Sequence, residues 1–149
     1  MTGIKRFKTG SKYEERNSYS RAVRVGQWVL MANTAGRDQR TGVLSTDPVE
    51  QARTAVANVE HGLVGAGSSL NEVVRLIARI PNPANVRPVM DAVGAAFRGI
   101  DPAMTIVCTP LASLDYAVEL EATAFHGAES DEHAMIAPQT PVAGGVENE

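Results

Sequence analysis

Between residues 19 and 35 the chain reads as two extended runs. In Tyr19–Val25, residues Tyr19, Val23 and Val25 fall on one face. Trp28–Ala35 follows and carries the bulky residues of a half-buried strand. Only Gly26-Gln27 separates the runs, which predicts a hairpin. Arg37–Ser45 is a loop, marked by Asp38, Thr41 and Gly42. At Asp47-Pro48 the period changes. Asp accepts hydrogen bonds from first-turn amides, and Pro suits the first helical position. Apolar residues at 49, 52, 55, 56, 59, 63 and 66 then trace one helical stripe, which stops in the Gly65–Gly67 region.

Glu72–Ile80 is predicted as a third strand. Val74, Leu76, Ala78 and Ile80 line one face, and Val73, Arg75, Ile77 and Arg79 the other. Pro81-Asn82-Pro83 ends it, because two prolines cannot continue a ladder. A second helix covers Ala84–Arg98, with Val86, Val89, Met90, Val93 and Phe97 on its apolar stripe and Gly99 as its cap. Met104–Leu111 is the fourth strand and Tyr116–Phe125 the fifth. On the fifth, Tyr116, Val118, Leu120, Ala122 and Ala124 share one face, opposite Ala117, Glu119, Glu121, Thr123 and Phe125.

The order ββαβαββ, with one apolar stripe per helix, predicts an α+β fold with both helices on one face of a mixed sheet. The other face carries Glu119, Glu121, Arg75 and Arg79 among Val, Ile and Phe. Such a face suits burial against further copies of the chain, so a homo-oligomer is expected with Glu119 or Glu121 near a subunit junction. The plainer alternative is a solvated outer face.

Length and charge narrow the picture. At 149 residues there is room for one domain. Aromatics make up only 5%, so the core is aliphatic. The net charge is −3, but five acids and no Lys or Arg follow Phe125, which leaves residues 1–125 at about +2. No basic stripe results, so a nucleic-acid partner is not expected. We divide the chain into an N-terminal extension (1–18), a folded domain (19–127) and an acidic tail (128–149) expected to be disordered. No apolar run is long enough to span a membrane, and the polar, basic start does not read as a secretory signal. The one cysteine, Cys108, cannot form an internal disulfide, and His61, His126 and His133 lack metal-ligand spacing. These features point to a reducing, cytoplasmic setting and to chemistry without metal or redox cofactor. Cys108 is expected to be a small buried hydrophobe and His61 a surface residue. Gly65-Ala66-Gly67 follows a helix, so it cannot present a helix N-terminus to a phosphate.

Several stretches taken in order carry a resemblance. They are Tyr19-Ser20-Arg21-Ala22-Val23; Glu50-Gln51 with Asn58; Ala66-Gly67-Ser68-Ser69-Leu70 before Val73-Val74; Asp101-Pro102-Ala103; and Val118-Glu119-Leu120-Glu121-Ala122-Thr123-Ala124. Over about residues 19–125 the chain resembles the Rid family of reactive-intermediate (enamine/imine) deaminases, also called the YjgF family. The resemblance implies a chorismate-mutase-like fold and a homotrimer with small-molecule clefts between subunits. It also implies cofactor-free hydrolysis of a 2-imino acid to a 2-oxo acid and ammonia. In that scheme an Arg grips the substrate carboxylate, backbone groups and a Glu position the attacking water, and a Tyr helps close the pocket.

Carried over, Glu119 matches the water-handling Glu and Tyr19 the pocket Tyr. Their structural alternatives are an ion pair between Glu119 and Arg75 or Arg79, and an ordinary strand tyrosine. In Pro102-Ala103-Met104-Thr105, Met104 stands where the carboxylate-binding Arg is expected, with Thr105 beside it and Ile106 where a Cys is frequent. A thioether cannot replace that charge. Ala32-Asn33 replaces a Ser-Gly, which brings Asn33 and Thr34 to the expected pocket, and Arg37 just beyond is a candidate substitute cation or else an exposed loop residue. The expectation is therefore a deaminase-like hydrolase with an altered pocket. It would be weak on simple 2-imino acids and would act on an intermediate such as an aminomuconate. The alternative is a non-catalytic trimer that binds a small molecule in the cleft. An RNA-cleaving role ranks last, for want of a basic stripe and a His pair.

Overall fold

The computed structural model describes residues 3–139. Among them, β1 (Ile4–Phe7) leads to a short helix α1 (Lys12–Arg16). The strands β2 (Ala22–Val25), β3 (Trp28–Met31) and β4 (Thr34–Ala35) follow, then the long helix α2 (Pro48–Gly65). β5 (Val73–Arg79), α3 (Val86–Ala96), β6 (Ala103–Val107) and β7 (Glu119–Phe125) complete the order. The strands form one sheet, β1-β2-β3-β7-β5-β6, with β4 paired to β7 beyond the end of β3. Among the described residues only β5 and β6 run parallel, and the other pairings are antiparallel.

The core lies between one face of the sheet and α2 with α3. Val29, Leu76, Ala78, Leu120, Ala122 and Ala124 point into it from the strands. Ala52, Ala55, Val59 and Leu63 meet them from α2, and Val89, Val93 and Phe97 from α3 and its end. α2 starts as expected: Asp47 accepts from the Val49 amide at 2.9 Å, and Pro48 opens the helix. Arg24 closes its other end by donating to the Ala66 and Gly67 carbonyls, which no helical amide can reach.

Several details depart from the expected pattern; among them, the last strand begins at Glu119 and not at Tyr116. The chain before Tyr19 adds an edge strand, with Ile4–Phe7 laddered to Ala22–Val25. The second predicted strand is broken at Ala32-Asn33, where the chain leaves the β3 ladder before rejoining the sheet as β4. A bulge between Val73 and Arg75 exchanges the first two residues of the third strand, so Val73 is buried and Val74 is exposed. Because β6 ends at Val107, Cys108 is exposed and not a buried hydrophobe. His61 lies on the surface of α2 as expected. Residues 128–139 are irregular and exposed, and the rest of the acidic tail lies outside the described residues. Among the described residues, no helix is long and apolar enough to cross a membrane.

Candidate functional site

The site is built where β4 meets the first residues of β7. Two polar residues of α2 hold the incoming chain. Gln51, 2% exposed, donates to the Ser45 and Asp115 carbonyls and accepts from the Ala117 amide. Asn58 donates to the carbonyls of Ala35 and Arg37 at 2.9 and 2.8 Å. Between them Gly36 lies against the helix backbone, so close that a Cβ there would sit 2.0 Å from the Gln51 carbonyl oxygen. α2 thus fixes both the segment after Asn33 and the segment before Glu119. The ladder then sets Ala35 opposite Glu119 and Thr34 opposite Leu120.

Glu119 emerges half-buried on the face of the sheet away from the helices. Asn33 Nδ2 donates to its Oε2 at 2.6 Å. Among the described residues, Oε1 has no hydrogen-bond partner. Arg79 is the ladder partner of Glu119, but its Nη1 donates to Glu121 Oε2 at 2.7 Å and to Asn33 Oδ1 at 3.1 Å. The Arg79–Asn33 bond orients the amide so that its NH2 faces Glu119. The ion pair considered for Glu119 therefore belongs to Glu121. Burial raises the Glu119 carboxyl above its ordinary range, against the opposing pull of the Arg79 and Arg21 charges. A carboxylate with one free oxygen and a raised pKa can orient a water and take its proton.

Tyr19 reaches this cluster through Arg21. Arg21 Nη2 donates to the Tyr19 hydroxyl at 3.0 Å, and Nη1 donates to the Asn33 carbonyl and the Thr34 hydroxyl, both at 3.2 Å. Thr34 is buried, with its hydroxyl donating to the Ala32 carbonyl. That places Thr34 in the framework behind Asn33 and not on an open surface. Arg37 folds onto its own loop: Nη1 donates to the Gly42 carbonyl at 2.8 Å, and the guanidinium lies 6.0 Å from the Tyr116 ring.

The β6 residues stand elsewhere. Met104 and Ile106 are register partners of Leu76 and Ala78, so they share the helix-covered side of the sheet, exposed at its last strand. Thr105 shares the open side, where it accepts from Arg75. One chain therefore unites Glu119, Asn33, Thr34 and Tyr19, but does not bring Met104 or Ile106 to them. Two hollows, of about 260 and 290 Å³, flank Pro81 and Leu114, and neither is lined by Glu119, Asn33 or Tyr19.

Sequence reasoning missed Arg21 and Glu14 as contributors. Arg21 lies inside the Tyr19–Val23 stretch, and an arginine between a tyrosine and a buried strand is the available signal. Glu14 sits in a polar five-residue helix that offered none.

The model of the family described as endoribonuclease L-PSP matches residues 9–126. The chain belongs to this family, the YjgF or Rid family. A RutC family protein of Pyrococcus abyssi is 28% identical over 108 residues, which cover 72% of this chain and 85% of that protein. A 2-iminobutanoate/2-iminopropanoate deaminase of Dermatophagoides farinae is 27% identical over 104 residues, 69% of this chain and 81% of the relative. Among solved structures, Rv2704 of Mycobacterium tuberculosis, a YjgF/YER057c/UK114 family member, superposes with a TM-score of 0.76 at 31% identity. The match covers 83% of this chain and 99% of that one. The two helices on one face of the mixed sheet are thus the chorismate-mutase-like fold of the Rid family.

Proposed function

We propose that this Rid-family chain is a deaminase-like hydrolase that adds water to a C=N bond and releases ammonia. The observation that carries the reading is the state of Glu119: half-buried and, among the described residues, in no ion pair, with one oxygen fixed by Asn33 and the other without a partner. Water held on Oε1 attacks the imine carbon and gives a proton to the carboxylate. The carboxyl passes that proton to nitrogen, which gives the carbinolamine; the carboxylate then takes the hydroxyl proton and hands it to the amine as the C–N bond breaks, so the C=O bond forms and ammonia leaves. No cofactor enters this scheme. The deaminase among the relatives supports the reaction class.

In this reading the active unit is a homotrimer. The exposed edge strand β6 brings Met104, Thr105 and Ile106 of one copy toward Glu119, Asn33 and Tyr19 of the next. With Met104 in the place of a carboxylate-binding Arg, 2-iminobutanoate and 2-iminopropanoate are poor substrates. The test measures ammonia release from 2-iminobutanoate made in situ, from 2-aminomuconate and from an imine without a carboxylate. Acceleration of at least one of them, lost in Glu119→Gln, is expected; no acceleration of any overturns the proposal.

A second reading, a non-catalytic small-molecule-binding trimer, is favoured by the apolar Met104 and Ile106 on β6. It predicts thermal stabilisation by the same compounds without turnover.

A further inference from the structure

We infer that Glu14 and Arg21 act as a positioning pair for the Glu119 site, with the N-terminal helix α1 as a working part of that site. Only the kinetic arm of the test rests on the reading of Glu119 as the reacting carboxylate.

The geometry is specific. Glu14 is 1% exposed, and both of its oxygens are occupied. Oε1 accepts from the Thr9 hydroxyl at 2.8 Å and from Arg21 Nε at 3.3 Å, and Oε2 accepts from the Thr9 amide at 2.9 Å. Burial opposes the charge on Glu14, but the Thr9 bonds and Arg21 together hold its carboxyl below the ordinary range. A buried ion pair is a poor device for stability alone, because apolar residues of similar volume serve as well or better. This pair does more than neutralise itself. With Nε on Glu14, the Arg21 fork spends its two remaining nitrogens on the Asn33 carbonyl, the Thr34 hydroxyl and the Tyr19 hydroxyl.

Asn33 is consequently held from two sides. Arg21 fixes its peptide, and Arg79 fixes its side-chain oxygen, which leaves the amide NH2 for Glu119. The pair also sets the charge around Glu119. Arg79 faces it from β5 and Arg21 from the segment before β2; Glu121 lies on the same face of β7, and Glu14 stands behind Arg21. Loss of Glu14's charge leaves Arg21 unopposed. Loss of both charges removes one of the two cations that favour ionised Glu119.

The experiment follows the Glu119 carboxyl by ¹³C NMR titration of the full chain, assigned by its loss in Glu119→Gln. Glu14→Gln is expected to move the midpoint down. The double variant Glu14→Gln/Arg21→Gln, which leaves no unpaired buried charge, is expected to move it above the wild-type value. Arg21→Lys keeps the charge but loses the fork. Its midpoint stays near wild type, while kcat for imine hydrolysis falls by about tenfold or more with KM little changed. An unmoved midpoint in the folded Glu14→Gln and double variants overturns the inference, as does full turnover by Arg21→Lys. If the wild-type chain hydrolyses no imine, the functional reading fails, and the titration still decides the positioning pair.

Discussion

Arg79 stands directly across the β5–β7 ladder from Glu119, yet its guanidinium serves Glu121 and Asn33. Two carboxylates two residues apart on one strand thereby acquire different roles. Glu121 is the structural counter-ion, and Glu119 keeps an uncommitted oxygen in a half-buried setting.

The raised pKa of Glu119 has a sign that stability measurements can read. A carboxyl whose folded pKa exceeds its unfolded value holds its proton more tightly in the folded state. Its contribution is fully present below the ordinary 4.5 and is lost as pH rises through the folded value. Glu119→Gln is therefore expected to lose imine turnover by about 100-fold or more while its Tm at pH 7 equals or exceeds that of wild type. Thermal denaturation at pH 4 and pH 7, alongside ammonia release, checks both halves.

Asn33→Ala removes the amide that joins Arg79 to Glu119. The donor to the carboxylate disappears, so the Glu119 carboxyl is expected to rise further and the acid limb of any pH–rate profile to move to higher pH. The stability cost is about 1–2 kcal/mol, as for the loss of one charge-assisted hydrogen bond at a partly exposed site. Urea denaturation and the pH–rate profile measure the two effects.

Acid sensitivity is expected from the far end of the sheet. Burial acts to raise the Glu72 carboxyl, but hydrogen bonds from Ser68, His126 and the Gly127 amide hold it at about 2. The stability this confers is present above the ordinary 4.5 and is lost as pH falls toward 2. Partial exposure reduces it to about 1–2 kcal/mol. Glu72→Gln is expected to lower stability at pH 7 by that amount and to flatten the decline between pH 4.5 and 2. Denaturant midpoints across that range provide the check.

Gly36→Ala places a methyl 2.0 Å from the Gln51 carbonyl oxygen, a backbone atom that cannot move without α2. A cost of about 2–3 kcal/mol is expected, read as a lower urea midpoint with the slope unchanged. Ala35 is the ladder partner of Glu119, so a displaced β4 also reduces turnover.

Much of this arrangement was legible from period and caps. The alternation puts Val118, Leu120, Ala122 and Ala124 in the core and both carboxylates outside, as found, but Tyr116, expected on the same inward face, lies before the strand and is only partly buried. Asp47-Pro48 marked the start of α2 to the residue. The bulge at β5 was invisible, because Val73 and Val74 are the same residue and either suits the inward position. The break at Ala32-Asn33 was hidden for a related reason: the apolar run 28–31 and Thr34-Ala35 look like one strand, and only the pairing of β4 with β7 separates them. The role of Glu14 could not be seen, since its helix Lys12–Arg16 has no apolar stripe and is anchored by charge and hydrogen bonds. The position of Asn33 marks it as a pocket residue, but its work of orienting Glu119 depends on Arg79, 46 residues away.

The most direct test of the account compares two titrations in one protein. One is the pH dependence of kcat/KM for imine hydrolysis, and the other is the ¹³C NMR titration of the Glu119 carboxyl. The account predicts a shared midpoint above 4.5. A Glu119 that titrates at or below 4.5, or turnover that survives Glu119→Gln, contradicts it.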